Sequence, residues 1–287
     1  MATALNLKNF ASWDLSKSKY FLDEEIDELP LMQSPGPVLM ILAIYLLFVL
    51  KLGPAFMRKR PAFKLTRTLF AYNMIQVAIS AYLVQKYFRA ILELGLVPRK
   101  CHMANERLRK EIVFGIWLYF AAKITELLDT VFFVLRKKDN QVTFLHLYHH
   151  SIMMVGTWAF FKYSPSETVL FIGFLNSLVH VFMYTYYGLA ALGPKVAKYL
   201  TWKKYMTTFQ LVQFVSIVAQ YLITVKLSEC PPSKGVAIFI VCNTLFFLVL
   251  FANFYKQSYV KKNSKTRLNV SNPLGICMIQ ENDVKVQ

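Results

Sequence analysis

The sequence predicts an all-α integral membrane protein with seven transmembrane helices. Apolar residues make up 56% of the 287 residues, and only 17% are charged. The mean hydropathy of the chain is +0.39. The apolar residues are also grouped into long blocks, which favours a membrane protein over the alternative, a large soluble helical bundle.

Each block is long enough to cross a bilayer as a helix, which takes roughly 20 mostly apolar residues. A soluble bundle is disfavoured because so many uncharged runs in one chain would be hard to solvate. One further block, residues 112–135, is equally apolar but contains three charged side chains. The blocks without Asp, Glu, Lys or Arg are residues 29–50, 68–85, 140–161, 168–194, 205–225 and 235–255.

The distribution of basic residues predicts the orientation of the chain. The net charge is +17, from 33 basic and 16 acidic residues, and cytoplasmic loops are enriched in Lys and Arg. We therefore predict a luminal segment 1–28, a transmembrane domain 29–256 and a cytosolic, disordered basic tail 257–287. Residues 90–111 do not fit this orientation, because this loop is basic and would be luminal. The basic clusters that would face the cytosol lie in residues 51–64, 136–138, 195–204 and 256–267.

The same topology predicts one disulfide. Cys101 and Cys230 would both lie in luminal loops, and an oxidising lumen permits disulfides. They are the only plausible pair among the four cysteines. Two free thiols are the alternative.

The third block, 112–135, carries ionisable residues at membrane depth. Lys123, Glu126 and Thr130 share one helical face because they are three and four residues apart, and Asp129 lies at the edge of that face. Opposite charges lower the cost of burial for one another. Such residues often mark a functional site, but a purely structural ion pair between helices is the alternative.

The fourth block, 140–161, has three of the five histidines of the chain. His146, His149 and His150 are separated by three and four residues and point to one helical face. Gln141 lies at the start of the same predicted helix. Three imidazoles on one face at membrane depth predict a site, although this spacing does not define its chemistry.

The fifth and sixth blocks add hydrogen-bonding side chains. Asn176, His180, Tyr184 and Tyr187 form a stripe along the fifth predicted helix, and Gln210 and Gln213 are three residues apart on the sixth. These residue types also join helices by interhelical hydrogen bonds. For the amides, packing between helices is therefore an alternative to a role in a site.

Three chemistries are compatible with the histidine motif H-x-x-H-H. A di-iron centre of the desaturase type needs more histidines than the five of this chain. Three imidazoles and a water can hold a catalytic zinc, which would make the protein a hydrolase. Without a metal, an imidazole can act as a general base or as a nucleophile that forms a covalent intermediate.

Several motifs, taken in order, resemble those of the very-long-chain fatty acid elongases, the ELO family. The resemblance extends over about residues 29–260. Leu29 stands where many members have Trp. The motifs are LPLMQSP at 29–35, KLGPAFM at 51–57, YNMIQV at 72–77, KITELLDT at 123–130, QVTFLHLYHH at 141–150, NSLVHVFMYTYY at 176–187 and TFQLVQF at 208–214.

The resemblance implies an enzyme of the endoplasmic reticulum membrane with six of its seven helices around a substrate tunnel open to the cytosol. It implies condensation of a long-chain acyl-CoA with malonyl-CoA to give 3-oxoacyl-CoA, CO2 and CoA. No metal or redox cofactor is expected. The reductases and the dehydratase of the elongation cycle are expected partners, besides the lipid bilayer. No nucleic acid is expected, and a homodimer is left open.

For the condensation reaction, we assign a role to each of the polar residues named above. His149 is acylated first, His180 assists as second nucleophile, base or donor, and His146 and His150 position the site. Glu126 or Asp129 polarises these imidazoles. A zinc hydrolase and a non-enzymatic lipid carrier are the alternatives. Further supporting, oxyanion-stabilising or CoA-binding candidates are Lys123, Gln141, Asn176, Tyr184, Tyr187, Gln210 and Gln213.

Overall fold

A computed structural model describes residues 26–97, 105–163, 169–228 and 234–260, and all regular structure within these ranges is helical. The predicted Cys101–Cys230 disulfide lies outside the described residues. The same is true of nearly all of segment 1–28 and of the tail beyond residue 260. The helices begin and end as follows: α1 Pro35–Leu47, α2 Gly53–Met57, α3 Thr66–Leu94, α4 Glu106–Glu126, α5 Leu128–Leu135, α6 Phe144–Tyr163, α7 Val169–Ala191, α8 Pro194–Ala197, α9 Lys203–Leu227 and α10 Lys234–Tyr255.

Local sequence explains several helix boundaries. Pro35 occupies the first turn of α1, where a missing backbone N–H costs no hydrogen bond. Asn105 caps α4, because its side-chain Oδ1 accepts a hydrogen bond from the backbone N–H of Leu108 at 3.2 Å, which satisfies one of the free donors of the first turn. α3 ends at Gly95, whose φ of 83° suits glycine.

The helices coincide with the apolar blocks. α1 continues into α2 through a wide π-helical turn, Phe48–Leu52, and a similar turn, Lys256–Val260, extends α10. The block 112–135 is divided into α4 and α5 at Leu127, so Lys123 and Thr130 belong to different helices. Within the residues that the structure describes, four stretches have the length and composition of membrane spans: Pro35–Met57, Val169–Ala191, Lys203–Leu227 and Lys234–Val260.

The contacts between helices form a closed circuit. α3 packs against α4 and α7, α4 packs against α6, α7 packs against α9, and α9 packs against α10. The circuit closes between α6 and α10, where the Tyr148 hydroxyl donates to Asn243 Oδ1 at 2.9 Å. α1 packs against α6, and α2 packs against α5. Six long helices therefore follow one another around the bundle.

Two glycines allow α3 and α7 to approach closely. A Cβ atom at Gly173 would lie 2.7 Å from Cε2 of Tyr87, and one at Gly188 would lie 2.5 Å from Cε of Met74. Small residues are favoured where transmembrane helices pack because their backbones can come together. This contact fixes α7, which carries His180, against α3 and the adjoining α4.

Candidate active site

A buried ion pair lies at the C-terminal end of α4. Nζ of Lys123 is 2.9 Å from Oε1 and 3.1 Å from Oε2 of Glu126. Only 2% and 3% of the two side chains are exposed. Because charges are costly to bury alone, each residue makes the burial of the other tolerable.

His180 of α7 is attached to the same carboxylate. Its Nδ1 lies 3.1 Å from Oε1 of Glu126. A carboxylate accepts hydrogen bonds and does not donate them when ionised, so Nδ1 of His180 carries the hydrogen. Its Nε2 then keeps a lone pair, which makes this atom a candidate base or nucleophile.

Asn176, one turn before His180, is oriented by two donors. Its Oδ1 accepts from Nζ of Lys123 at 2.8 Å and from the hydroxyl of Tyr119 at 2.8 Å. The three hydrogen bonds of the Lys123 ammonium thus go to Glu126 and Asn176. The amide NH2 of Asn176 makes no hydrogen bond within the described part of the chain, so it is available to a substrate.

The three histidines of α6 form a stack of rings beside this network. The ring centres of His146 and His150 are 4.2 Å apart, and those of His149 and His150 are 5.3 Å apart. The ring of His149 also contacts that of Phe247 of α10, and their ring centres are 5.2 Å apart.

His146 and His150 differ in their hydrogen bonds. Nε2 of His146 is 2.9 Å from Oγ1 of Thr130. Nδ1 of His150 is buried and has no hydrogen-bond partner among the residues the structure describes. The sequence-based hypothesis has Glu126 or Asp129 polarising these imidazoles. In the structure Glu126 contacts His180, and the partner of His146 is a hydroxyl.

Asp129 forms a separate part of the site. Its Oδ2 accepts a hydrogen bond from the hydroxyl of Tyr184 at 2.8 Å, and the described residues include no cation paired with it. Tyr184 is fully buried, and its ring packs edge-on against Tyr72 with the ring centres 6.2 Å apart. Asp129 therefore interacts with tyrosines and not with the Lys123 ion pair.

The remaining candidates make few contacts with this centre. Gln213 is 5% exposed but has no hydrogen bond to another described residue. Nε2 of Gln210 lies 4.0 Å from the sulfur of Met183, a weak contact. Tyr187 is 42% exposed, although its ring contacts that of Tyr184. Gln141 ends the 3-10 turn that precedes α6 and is joined to none of these residues.

Sequence reasoning missed Tyr45 and Tyr119. The Tyr45 hydroxyl of α1 is 2.8 Å from Oγ1 of Thr130, and Tyr119 orients Asn176. The available signal was weak, because tyrosine is common in membrane helices and neither residue lies in one of the motifs. Hydroxyls that approach from other helices are visible only in the assembled bundle.

Among the described residues, no group of three or more His, Cys, Asp or Glu side chains is arranged to hold a metal ion. Nε2 of His146 faces Thr130, and Nδ1 of His180 faces Glu126. These contacts occupy one ring nitrogen of His146 and one of His180, and leave Nδ1 of His146 and Nε2 of His180 open.

The helices and the buried polar residues define the class: a helical integral membrane protein with a buried Lys–Glu pair that holds one histidine, and with three further histidines stacked on α6. Comparison with known proteins narrows this class. The family model of ELO, the GNS1/SUR4 family, matches residues 30–267. The chain belongs to this family, and the resemblance noted in the motifs is confirmed.

Individual relatives cover most of the chain. The very long chain fatty acid elongase 7 of Drosophila melanogaster is 40% identical over 253 residues, which is 86% of this chain and 76% of the relative. The human very long chain fatty acid elongase 4 is 37% identical over 276 residues, 94% of this chain and 86% of the relative. The human very long chain fatty acid elongase 1 is 39% identical over 269 residues, which is 91% of this chain and 95% of the relative.

Proposed function

We propose that this chain is the condensing enzyme of fatty acid elongation, a very-long-chain 3-oxoacyl-CoA synthase. The observation that carries the proposal is the similarity, at 37–40% identity over most of the chain, to proteins named very long chain fatty acid elongases. The polar centre supports it, because condensation needs a nucleophile, a base and donors for developing negative charge.

In the first half-reaction an imidazole nitrogen of His149 attacks the thioester carbonyl of a long-chain acyl-CoA. A carbon–nitrogen bond forms, the carbon–sulfur bond breaks, and the imidazole proton leaves with the thiolate as free CoA. The acyl chain stays on His149. His180 is well suited to receive and pass on a proton, because Glu126 holds its Nδ1–H and leaves Nε2 basic.

In the second half-reaction malonyl-CoA loses CO2, and the electrons of the broken bond form an enolate. The enolate carbon attacks the acyl carbonyl, the carbon–nitrogen bond breaks, and 3-oxoacyl-CoA leaves. The freed His149 regains a proton from solution. The unused NH2 of Asn176 is a suitable donor to the enolate oxygen, since its Oδ1 is already held by Lys123 and Tyr119.

The proposed setting is the endoplasmic reticulum membrane, with seven spans, the N-terminus luminal and the C-terminus cytosolic. The circuit of six long helices would surround a tunnel for the acyl chain. The basic cytosolic loops would attract the phosphates of CoA. No metal or redox cofactor takes part in the proposed step, and a reductase, a dehydratase and a second reductase would complete the cycle.

The acyl-enzyme is tested directly by mass spectrometry. Purified protein is incubated with acyl-CoA alone, and the peptide covering residues 139–162 is analysed. We expect an acyl adduct on His149 that disappears when malonyl-CoA is added. An adduct on another residue, or none at full activity, would contradict the mechanism. His149→Gln should abolish the adduct, whereas His102→Gln changes the one histidine that lies in none of the quoted motifs and serves as the matched control.

A second measurement separates the proposal from the other classes of protein. Purified protein receives labelled malonyl-CoA and a panel of acyl-CoAs, with and without a chelator. We expect label in a lengthened acyl chain regardless of chelator. A zinc hydrolase would carry stoichiometric zinc and stop working with chelator. A lipid carrier would keep its function after His149→Ala.

A further inference from the structure

Tyr45 of α1 is connected to the histidine stack through one threonine. Its hydroxyl is 2.8 Å from Oγ1 of Thr130, and the same Oγ1 is 2.9 Å from Nε2 of His146. Tyr45 is 5% exposed and Thr130 is fully buried. These two contacts thus join three helices, α1, α5 and α6; the Tyr45–Thr130 contact is buried, and His146 is half-buried.

The number of available hydrogens determines the direction of these two hydrogen bonds. Thr130 has one hydroxyl hydrogen and two neighbours, so it donates to one and accepts from the other. If the Tyr45 hydroxyl donates to Thr130 and Thr130 donates to Nε2 of His146, every hydroxyl hydrogen has an acceptor. This arrangement requires an unprotonated Nε2, and the neutral His146 ring then carries its proton on Nδ1.

The other arrangements leave the hydrogen of a buried hydroxyl without an acceptor, whereas the first leaves only the Nδ1–H of His146, whose ring is half-buried. If Nε2 of His146 donates to Thr130 and Thr130 donates to Tyr45, the hydroxyl hydrogen of Tyr45 has no acceptor in the described part of the chain. If Tyr45 and His146 both donate to Thr130, its own hydrogen has none. Buried donors are rarely left unsatisfied, so the direction from Tyr45 to His146 is favoured.

We infer that Tyr45 is a positioning residue that, through Thr130, holds His146 as the Nδ1–H tautomer. His146 then presents one fixed N–H donor beside His150, whose ring centre is 4.2 Å away. A histidine locked as a donor suits the stabilisation of negative charge on a substrate oxygen. This last role rests on the proposed function, whereas the tautomer itself does not.

The tautomer is tested by solid-state NMR of the full chain, with 15N-labelled histidine, in lipid bilayers. The wild type should contain a neutral His146 protonated at Nδ1, and its signal is identified by its loss in His146→Gln. In Tyr45→Phe this signal should broaden or shift toward the Nε2–H form. A wild-type His146 protonated at Nε2, or an unchanged signal in Tyr45→Phe, would overturn the inference.

The kinetic test uses two pairs of variants. Tyr45→Phe and Thr130→Val should lower kcat about tenfold, the rate equivalent of one net hydrogen bond, with the KM values for both CoA substrates unchanged. Thr130→Ser keeps the hydroxyl and should retain kcat. The matched control is Tyr87→Phe, which removes a buried hydroxyl bonded to the backbone carbonyl of Gly115 and should leave kcat unchanged.

The outcomes are distinguishable. Equal losses in Tyr45→Phe and Tyr87→Phe, or in Thr130→Ser and Thr130→Val, would indicate a general structural effect and overturn the inference. If wild-type protein does not condense the two CoA substrates, the proposed function fails, but the NMR measurement still decides the tautomer. If the wild type condenses them and Tyr45→Phe keeps the full kcat, the positioning role alone fails.

Discussion

The two ends of α4 carry the same kind of ion pair in opposite surroundings. At its N-terminal end Nε of Arg109 is 3.1 Å from Oε2 of Glu106, and 63% of the Glu106 side chain is exposed. At its C-terminal end Lys123 and Glu126 have the same three-residue spacing, but both are buried. Identical spacing on one helix therefore gives a pair with a solvated carboxylate at one end and a fully buried pair at the other.

The difference lies in what each charge loses if its partner is removed. Water replaces the partner of an exposed charge, so a surface pair contributes little to stability. Lys123 and Glu126 are buried, so solvent cannot replace a lost partner there, and the two residues also hold Asn176 and His180 in place. The buried pair thus supports both the fold and the site, whereas the exposed pair supports only the local helix.

The largest effect is expected from Lys123→Met. This change leaves the Glu126 carboxylate buried without its cation, which costs about 3–5 kcal/mol. We expect a marked fall in the thermal unfolding temperature in lipid nanodiscs and loss of condensing activity. Lys110→Met makes the same substitution at the exposed end of α4 and should change neither. Equal effects of the two variants would remove the contrast between the two ends.

The double variant Lys123→Met/Glu126→Met sharpens the comparison. Replacement of both members of a buried ion pair by apolar residues is often neutral for stability, so the unfolding temperature should recover toward the wild-type value. The condensing activity of the double variant should stay about a hundredfold or more below that of the wild type, because His180 loses the group that orients it. A double variant as unstable as Lys123→Met would show that the pair is not coupled in this way.

Asn176→Leu should have an intermediate effect. It removes the oxygen that accepts from both Lys123 and Tyr119, and unsatisfied buried donors cost about 1–3 kcal/mol. The expected result is a smaller fall in unfolding temperature than in Lys123→Met, together with reduced kcat. Asn243→Leu is the matched control, since it breaks a single interhelical hydrogen bond to Tyr148. A larger loss of stability in the control would contradict the prediction.

The smallest effect is expected from Glu106→Gln. The neighbouring Arg109 guanidinium holds the pKa of the Glu106 carboxyl below its ordinary value in the folded protein. Its small contribution is therefore present above the ordinary pKa and is lost as the pH falls through the lowered pKa. The difference in unfolding temperature between wild type and variant should be slight at neutral pH and vanish in acid. A difference that grows in acid would contradict this sign.

Much of the fold was predictable from hydropathy alone. The apolar blocks match the long helices because the cost of burying a side chain in lipid is a property of that side chain, summed over about 20 residues. The break at Leu127 was not predictable, since no proline or glycine marks it. A carboxylate of the charged face that holds an imidazole was anticipated, but the identity of each hydrogen-bond partner was not.

The sequence by itself determined the helical membrane class, the polar face of α4 and the shared face of His146, His149 and His150, because these follow from composition and local spacing. Only the tertiary structure decided that Glu126 binds His180, that Asp129 binds Tyr184, and that Tyr45 reaches Thr130. Such pairs depend on which helices are neighbours and on how each is rotated about its axis. Both are set by packing across the bundle, which no local pattern specifies.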